Sequence, residues 1–222
     1  MTKQIPPAES RRLPLTRDRV LRAAIALADG GGIESITMRR LGEELGVEAM
    51  SLYNHVTNKD DVLDGIVDAV LGEFDLPSAT ADWKSVVRAG AMSANQVLLR
   101  HPWAISLLIS RKSLGQARLR YMNSVLGYLR EAGFSANKTH HAYHVLDSHI
   151  VGYTLQQVNF MAAAEDIKEL GADFLRELPA DQFPYLAEHV TGHLDGSYAG
   201  ESGFEFGVDL ILDALERLRG SA

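Results

Sequence analysis

The stretch Gly32-Ile33-Glu34-Ser35-Ile36-Thr37-Met38-Arg39-Arg40-Leu41-Gly42-Glu43-Glu44-Leu45-Gly46-Val47, followed by Ser51-Leu52-Tyr53-Asn54-His55-Val56-Thr57-Asn58-Lys59-Asp60-Asp61-Val62-Leu63, decides how the first part of this chain folds. Thr37 is placed to cap a helix, because its hydroxyl can accept from one of the first-turn amides that lack a partner. Met38, Leu41 and Leu45 then stand at i, i+3 and i+7 on one face, and Gly46 can take the left-handed conformation that ends a helix. A second short helix is expected over Met50 to His55, closed by the polar pair Thr57-Asn58. From Lys59 onward Val62, Ile66 and Val70 form one apolar row and Leu63, Val67, Leu71 and Phe74 another, so the next helix buries two sides until Pro77 stops it. Upstream, Val20, Ala24, Leu27 and Ala28, with Leu21 and Ile25, follow helical spacing from Thr16 to Asp29, and Gly30-Gly31-Gly32 closes the pattern.

Two short helices joined by a glycine-bearing turn, after a longer helix, make a helix-turn-helix, in which the second short helix enters the major groove of DNA. Spacing alone also fits a fragment of an all-helical core. The residues quoted above resemble the N-terminal signature of the tetracycline-repressor (TetR) family. Asp82-Trp83-Lys84, Glu131-Ala132-Gly133-Phe134-Ser135 and Phe204-Glu205-Phe206-Gly207-Val208-Asp209-Leu210-Ile211-Leu212-Asp213-Ala214-Leu215-Glu216 are similar to the C-terminal domain of that family's tetracycline-repressor branch. The resemblance implies an all-α fold. Residues 1–60 would be a three-helix DNA-binding head, with 1–14 a flexible arm, and 61–222 an effector-binding and dimerisation body. It further implies a homodimeric transcriptional regulator, a repressor released from a palindromic double-stranded DNA operator by a small-molecule effector, with no catalysis and no cofactor.

Roles follow position by position. Tyr53, His55 and Lys59 match phosphate-contacting positions, which fix register rather than sequence, and Thr37, Met38 and Arg39 match further contacts at the start of the first short helix. Arg39 could instead place its planar fork on a guanine edge. Base reading falls to Ala49, Met50, Ser51 and Asn54, which face outward if Val47 and Leu52 face the core. The tetracycline repressors carry a glutamine, a proline and an aromatic in this region, so a different operator is expected. Tyr53 has a plainer alternative as an aromatic that closes the small core, and Thr37 as a cap alone.

Further helices are expected at about 82–100, 102–111, 115–131 and 136–161, with short pieces over 162–192 interrupted by Pro179 and Pro184, and a glycine-rich mobile connection from Gly192 to Gly203. Phe204, Val208, Ile211, Leu215 and Leu218 alternate four and three apart, as a dimerising helix would. Burial within its own subunit is the other reading of that stripe.

The helices between 82 and 161 correspond to the family's effector chamber, a mostly apolar pocket with a few orienting groups. Candidate ligand contacts are Met92, Asn95, Gln96, Trp103, Leu107, Leu108, Tyr121, Tyr128, His144, Asp147, Tyr153 and Gln156. Residues such as Met92 and Trp103 are more often plain core, and Gln156 has the alternative of an interface residue. The resemblance places Leu108 where the tetracycline repressors have a metal-coordinating histidine, and Asp75, Gly90 and Ala94 where they supply a histidine, an asparagine and an aromatic to the drug. An effector other than tetracycline is therefore expected. His140 and His144 stand one helical turn apart with Asp147 three residues on, a spacing that could serve a metal sensor or hydrolase; this is the alternative reading of function.

Composition agrees without deciding. The net charge is −7, yet residues 1–60 hold nine Lys/Arg against eight Asp/Glu, and the remainder 13 against 21. A near-neutral start is compatible with phosphate contact, because binding depends on the field at one face. With no cysteine, disulfides and thiolate metal sites are excluded, and the apolar run Trp103–Ile109 is too short to cross a bilayer. A cytoplasmic location is expected.

Overall fold

The computed structural model describes residues 14–75, 82–111, 115–162, 164–198 and 202–220, with eleven α-helices and no strand among them. All but the last residue of the arm expected at 1–14, and the stop at Pro77, lie outside the described residues. The chain divides into two compact units at Ile66/Val67, within the fourth helix.

The first unit contains α1 (Arg17–Gly31), a 3-10 turn at Ile33–Ser35, α2 (Met38–Leu45), α3 (Ala49–Leu52) and the start of α4 (Lys59–Leu71). The Thr16 hydroxyl accepts from the Arg19 amide at 3.2 Å and opens α1. Gly32, at φ 70°, turns the chain, and the Ser35 hydroxyl donates to the Leu27 carbonyl at 2.7 Å. Thr37 caps α2 as expected, accepting from the Arg40 amide at 3.1 Å, and Gly46 ends it in the left-handed region at φ 66°. A Cβ at Gly42 would stand 2.8 Å from the Val47 carbonyl oxygen and 3.2 Å from the Ala49 amide, so only glycine lets α2 approach the start of α3 this closely. Val20, Ala24, Ile36, Leu41, Leu52, Val62 and Ile66 are sealed from solvent. α3 is shorter than expected, since residues 53–55 continue as turns.

In the second unit α5 (Trp83–Arg100), α7 (Gln116–Glu131), α8 (Ala136–Ala162) and α11 (Gly203–Arg219) pack together, α6 (Trp103–Ser110) lies between α5 and α7 in sequence, and α9 (Ala164–Glu177) packs on α10 (Pro184–Asp195). Pro184 occupies the first turn of α10, where its missing N–H costs nothing, so it begins that helix instead of interrupting it. The expected mobile connection from Gly192 is corrected likewise: α10 continues to Asp195, Gly196 closes it in the left-handed region, and Gly192 is buried against Tyr198.

The apolar stripe of α11 takes its other reading, burial within the chain, at three of its five members. Phe204, Val208 and Leu215, joined by Leu212, are buried inside their own subunit, because α5 and α8 both pack against that face. Ile211 is half-buried, and exposed apolar side chains lie at Phe206, Leu210 and the stripe's last member, Leu218. Beside the buried stripe, Arg88 reaches Asp209 at 2.7 Å and Glu205 at 2.8 Å, Lys84 reaches Asp213 at 2.6 Å, and the Trp83 indole donates to Glu216 at 3.0 Å. These pairs raise the pKa of Arg88 and lower that of Asp209, and they fix the register of α5 on α11.

Within the body the last turn of α4 meets the start of α7. Asp68 accepts from the Ala117 and Arg118 amides at 2.8 and 3.3 Å, capping a helix that has no side-chain cap of its own. A Cβ at Gly115 would overlap the Asp68 carboxylate.

Candidate functional site

The head presents an outward face built from α2, α3 and the turn that follows. Leu52 is fully buried and Val47 half-buried, which leaves Met50 74% exposed. Ala49 and Ser51 are half-buried, and Asn54 is exposed. An open groove between α2 and α3 is lined by Arg39, Glu43, Val47, Glu48, Ala49 and Ser51. Tyr53 is 45% exposed, so it does not close the core. Thr37 has its hydroxyl oxygen engaged in the cap, Met38 is half-buried, and Arg39 is exposed in a 3.2 Å pair with Glu43 one turn on. Such a pair, held in water, is weak and leaves the guanidinium easily diverted.

His55, half-buried, and Lys59, exposed at the start of α4, are positioned by a cluster that sequence reading missed. The Arg17 guanidinium forks onto the Asp61 carboxylate at 2.9 and 2.6 Å and reaches the His55 carbonyl at 3.4 Å. Asp61 also accepts from the Thr57 amide at 2.8 Å, and the Asn58 side chain accepts from the Asp61 amide at 2.9 Å. Hydrogen bonding from Arg17 comes first in holding the Asp61 carboxyl down, to about 2, with the Thr57 amide next. The signal was present: Asn58-Lys59-Asp60-Asp61 places an acceptor at the cap and a carboxylate three residues on, close to a capping box.

The body holds a chamber of two adjacent small, partly open cavities, of about 10 and 20 Å3. Val87, Ala91, Ala94 and Leu98 of α5, Leu108 of α6, Arg118, Tyr121, Met122 and Val125 of α7, and Tyr143, Leu146, Asp147 and Ile150 of α8 supply most of the wall. Of the sequence candidates this brings together Leu108, Tyr121 and Asp147. The others stand elsewhere. Asn95 is buried and donates to Thr154 and Gln157, both at 2.8 Å, which occupies its amide in helix packing. Tyr153 packs on Phe204 and, with Gln156, Phe160 and Met161, borders a separate surface depression. Trp103 and Leu107 are core residues, Met92 and Tyr128 half-buried, and Gln96 exposed. Tyr143 and Arg118 were missed, although Tyr143 lies one turn before Asp147 on the same face.

Electrostatics mark that wall. Burial, and then the Asp147 charge, push the Tyr143 hydroxyl up to about 12; burial, followed by Tyr143 and Asp147, raises Tyr121 as well. Asp147 is itself raised by burial, against the opposing pull of Arg118 and His144.

The histidine alternative finds no support. His140 and His144 lie ring to ring at 4.6 Å on an exposed face of α8, whereas Asp147 is half-buried and turned into the chamber wall. Among the described residues no three His, Cys, Asp or Glu side chains come together to hold a metal. His149 is a packing residue, stacked on Phe204 at 5.1 Å with Nε2 at 3.0 Å from its carbonyl oxygen.

An exposed recognition turn on a three-helix head, followed by an all-helical body with an internal chamber, defines a helix-turn-helix transcriptional regulator. Residues 20–66 match the family model described as bacterial regulatory proteins, tetR family, and residues 76–219 match the one described as tetracyclin repressor-like, C-terminal domain. The chain belongs to the TetR family. It is 37% identical to an HTH-type transcriptional regulator of Saccharopolyspora erythraea, over 90% of this chain and 92% of the relative. It is 30% identical to the HTH-type transcriptional repressor DrrR1 of Streptomyces coeruleorubidus, over 96% and 81% respectively. The structure of the TetR family protein ActR of Streptomyces coelicolor in complex with actinorhodin aligns with a TM-score of 0.77 at 28% identity, covering 94% of this chain and 100% of that one. The protein is thus a DNA-binding transcriptional regulator, and no helix among its described residues is long and apolar enough to cross a membrane.

Proposed function

We propose that this regulator is a cytoplasmic homodimeric repressor that occupies a palindromic operator and leaves it when a small organic molecule other than tetracycline fills the body chamber. It acts by binding alone, without catalysis. The observation that carries the reading is the pairing of an outward, exposed face at Met50 and Asn54 with a largely apolar, partly open chamber in a chain of this family. One short helix reads only a few base pairs, so a two-fold dimer on a palindrome is the economical way to obtain specificity. Exposed Phe206, Leu210 and Leu218 of α11, with Leu155 and Phe160 of α8, are the apolar surface for the second copy.

On the operator, Met50 and Ala49 pack on thymine methyls, and Ser51 and Asn54 hydrogen-bond base edges. Tyr53, His55 and Lys59 hold phosphates, while Thr37, Met38 and Arg39 flank them. Release follows from differential affinity: the effector binds best to a body conformation in which the two heads no longer match successive major grooves, and α4, which carries residues of both units, is the lever. Leu108, which the family resemblance puts at the position of the tetracycline repressors' metal-coordinating histidine, lines the chamber with no donor atom, which supports an effector that is not a tetracycline–magnesium complex.

Selection of bound DNA from a random pool at stated salt tests the reading, with a palindrome as the expected result; a pool with no palindrome would sink it. Sedimentation should show a dimer at micromolar concentration. Tetracycline with magnesium should leave the operator complex intact.

A further inference from the structure

The polar equipment of the chamber is concentrated where its two halves meet. Tyr121, Tyr143, Asp147 and Ile150 border both cavities, so these side chains form the partition between them. Among the described residues the two phenols and the carboxylate make no hydrogen bond. Solvent still reaches their polar atoms, since Thr139 Oγ1 is the one buried side-chain polar atom without a partner among the described residues, so a ligand entering the partition takes the place of water on all three. Arg118 lines the same wall, one turn before Tyr121, and its charge acts on both Asp147 and Tyr143.

This set of groups selects the chemistry of its ligand. A cation entering to meet Asp147 would also meet the Arg118 guanidinium, and an anion drawn by Arg118 would meet Asp147. A hydroxyl satisfies both, because one oxygen donates to the carboxylate and accepts from the guanidinium or a tyrosine O–H. The surrounding surface favours a flat aromatic body: Phe74 and Tyr121 already meet edge to face at 5.2 Å, and Val87, Ala91 and Ile150 supply apolar faces. The two cavities are each near the volume of one water, so an aromatic ligand must displace the Tyr121 and Tyr143 rings and merge them.

We infer that Asp147 is the polar anchor of the chamber and that the effector is an uncharged, hydroxylated aromatic molecule whose O–H donates to its carboxylate, with Arg118, Tyr121 and Tyr143 completing the hydrogen bonds. The inference rests on the reading of this chamber as the effector site.

Four probes of one ring size test it on the full chain by calorimetric titration: 1,8-dihydroxynaphthalene, naphthalene, the ammonium 1-naphthylmethylamine and the carboxylate 1-naphthoate. The dihydroxy compound should bind about tenfold or more tighter than the other three, the scale of a charge-assisted hydrogen bond in an apolar site. Asp147→Leu should erase that preference while leaving naphthalene within about twofold, and Tyr143→Phe should reduce it in part. Asp147→Leu should also melt no lower than the parent, since it removes an unpaired carboxylate. If it fails to fold, the near-isosteric Tyr143→Phe carries the test alone. Tighter binding of the ammonium or carboxylate probe, or a hydroxyl preference that survives Asp147→Leu, overturns the inference. Operator release measured alongside separates the two readings. Asp147-dependent binding that leaves the DNA bound keeps the anchor and sinks the effector reading, whereas release by compounds indifferent to Asp147 keeps the effector reading and sinks the anchor.

Discussion

In the head, the side chains of Thr16, Ser35, Thr37, Asn58 and Asp61 each end on a backbone amide or carbonyl, whereas in the body Tyr121, Tyr143 and Asp147 line a cavity and make no hydrogen bond among the described residues. The first arrangement completes a small scaffold before any ligand arrives, leaving the exposed side chains of the proposed DNA face as the variable part. The second leaves the interior incomplete, so that occupancy changes its energy. A rigid reader and an unfinished interior are what a switch needs, because a ligand shifts an equilibrium only through interactions that one state makes better than the other.

The largest test of the contrast lies in the head core. Leu52 is sealed from solvent in a unit with few such side chains, and Leu52→Ala should cost about 2–5 kcal/mol of stability and abolish operator binding, measured by thermal melting and gel shift. A folded, binding-competent variant would break the picture of a preassembled reader. Next come the exposed contacts of the proposed DNA face. Met50→Ala should alter sequence preference by about 1–3 kcal/mol at the bases it meets, while Lys59→Ala should weaken all sequences alike and lower the salt slope by about one. Binding across a panel of operators at several salt concentrations would show both, and identical behaviour of the two variants would contradict the division between reading and positioning.

The smallest expected effect is in pH dependence, where the two regions should have opposite signs. Asp61 is held below its ordinary value, to about 2, so its contribution is complete above the ordinary carboxylate range and is lost as pH falls through about 2. Because Arg17 is half exposed, that contribution is about 1 kcal/mol or less. Asp147 is raised by burial, so the folded chain retains a proton that the unfolded chain releases, and its contribution is lost as pH rises from the ordinary value through the raised one. Chemical denaturation between pH 2 and 7 should show Asp61→Asn and Asp147→Asn changing the pH slope in opposite directions. Equal shifts would erase the distinction.

The head was readable because its signals are local. Thr37, Gly46 and Gly32 act within a turn of their own position, and Leu52 against Met50 is settled by one helix. The body depends on which face meets which neighbour. The stripe Phe204–Val208–Leu215 correctly announced a buried face, but periodicity does not say whether another helix of the same chain or a second copy covers it. The chamber was partly legible for the same reason. Asp147 and Tyr121 were identified by polarity among apolar neighbours, whereas Asn95 and Tyr153 share that signature and are taken up by Thr154 and Phe204. Tyr143 needed only the observation that position 143 shares a face with 147, while His144 is exposed against His140.

The fit of Gly115 against Asp68 has a genetic consequence. A single methyl added at position 115 collides with the carboxylate that caps α7, and α7 carries Arg118 and Tyr121 into the chamber. A selection for altered inducer response should therefore recover changes at 68 and 115 alongside changes at 147. Such alleles would pass for ligand-contact mutants by phenotype, yet substituting one probe for another would leave their defect unchanged, since they disturb the frame that holds the wall in place.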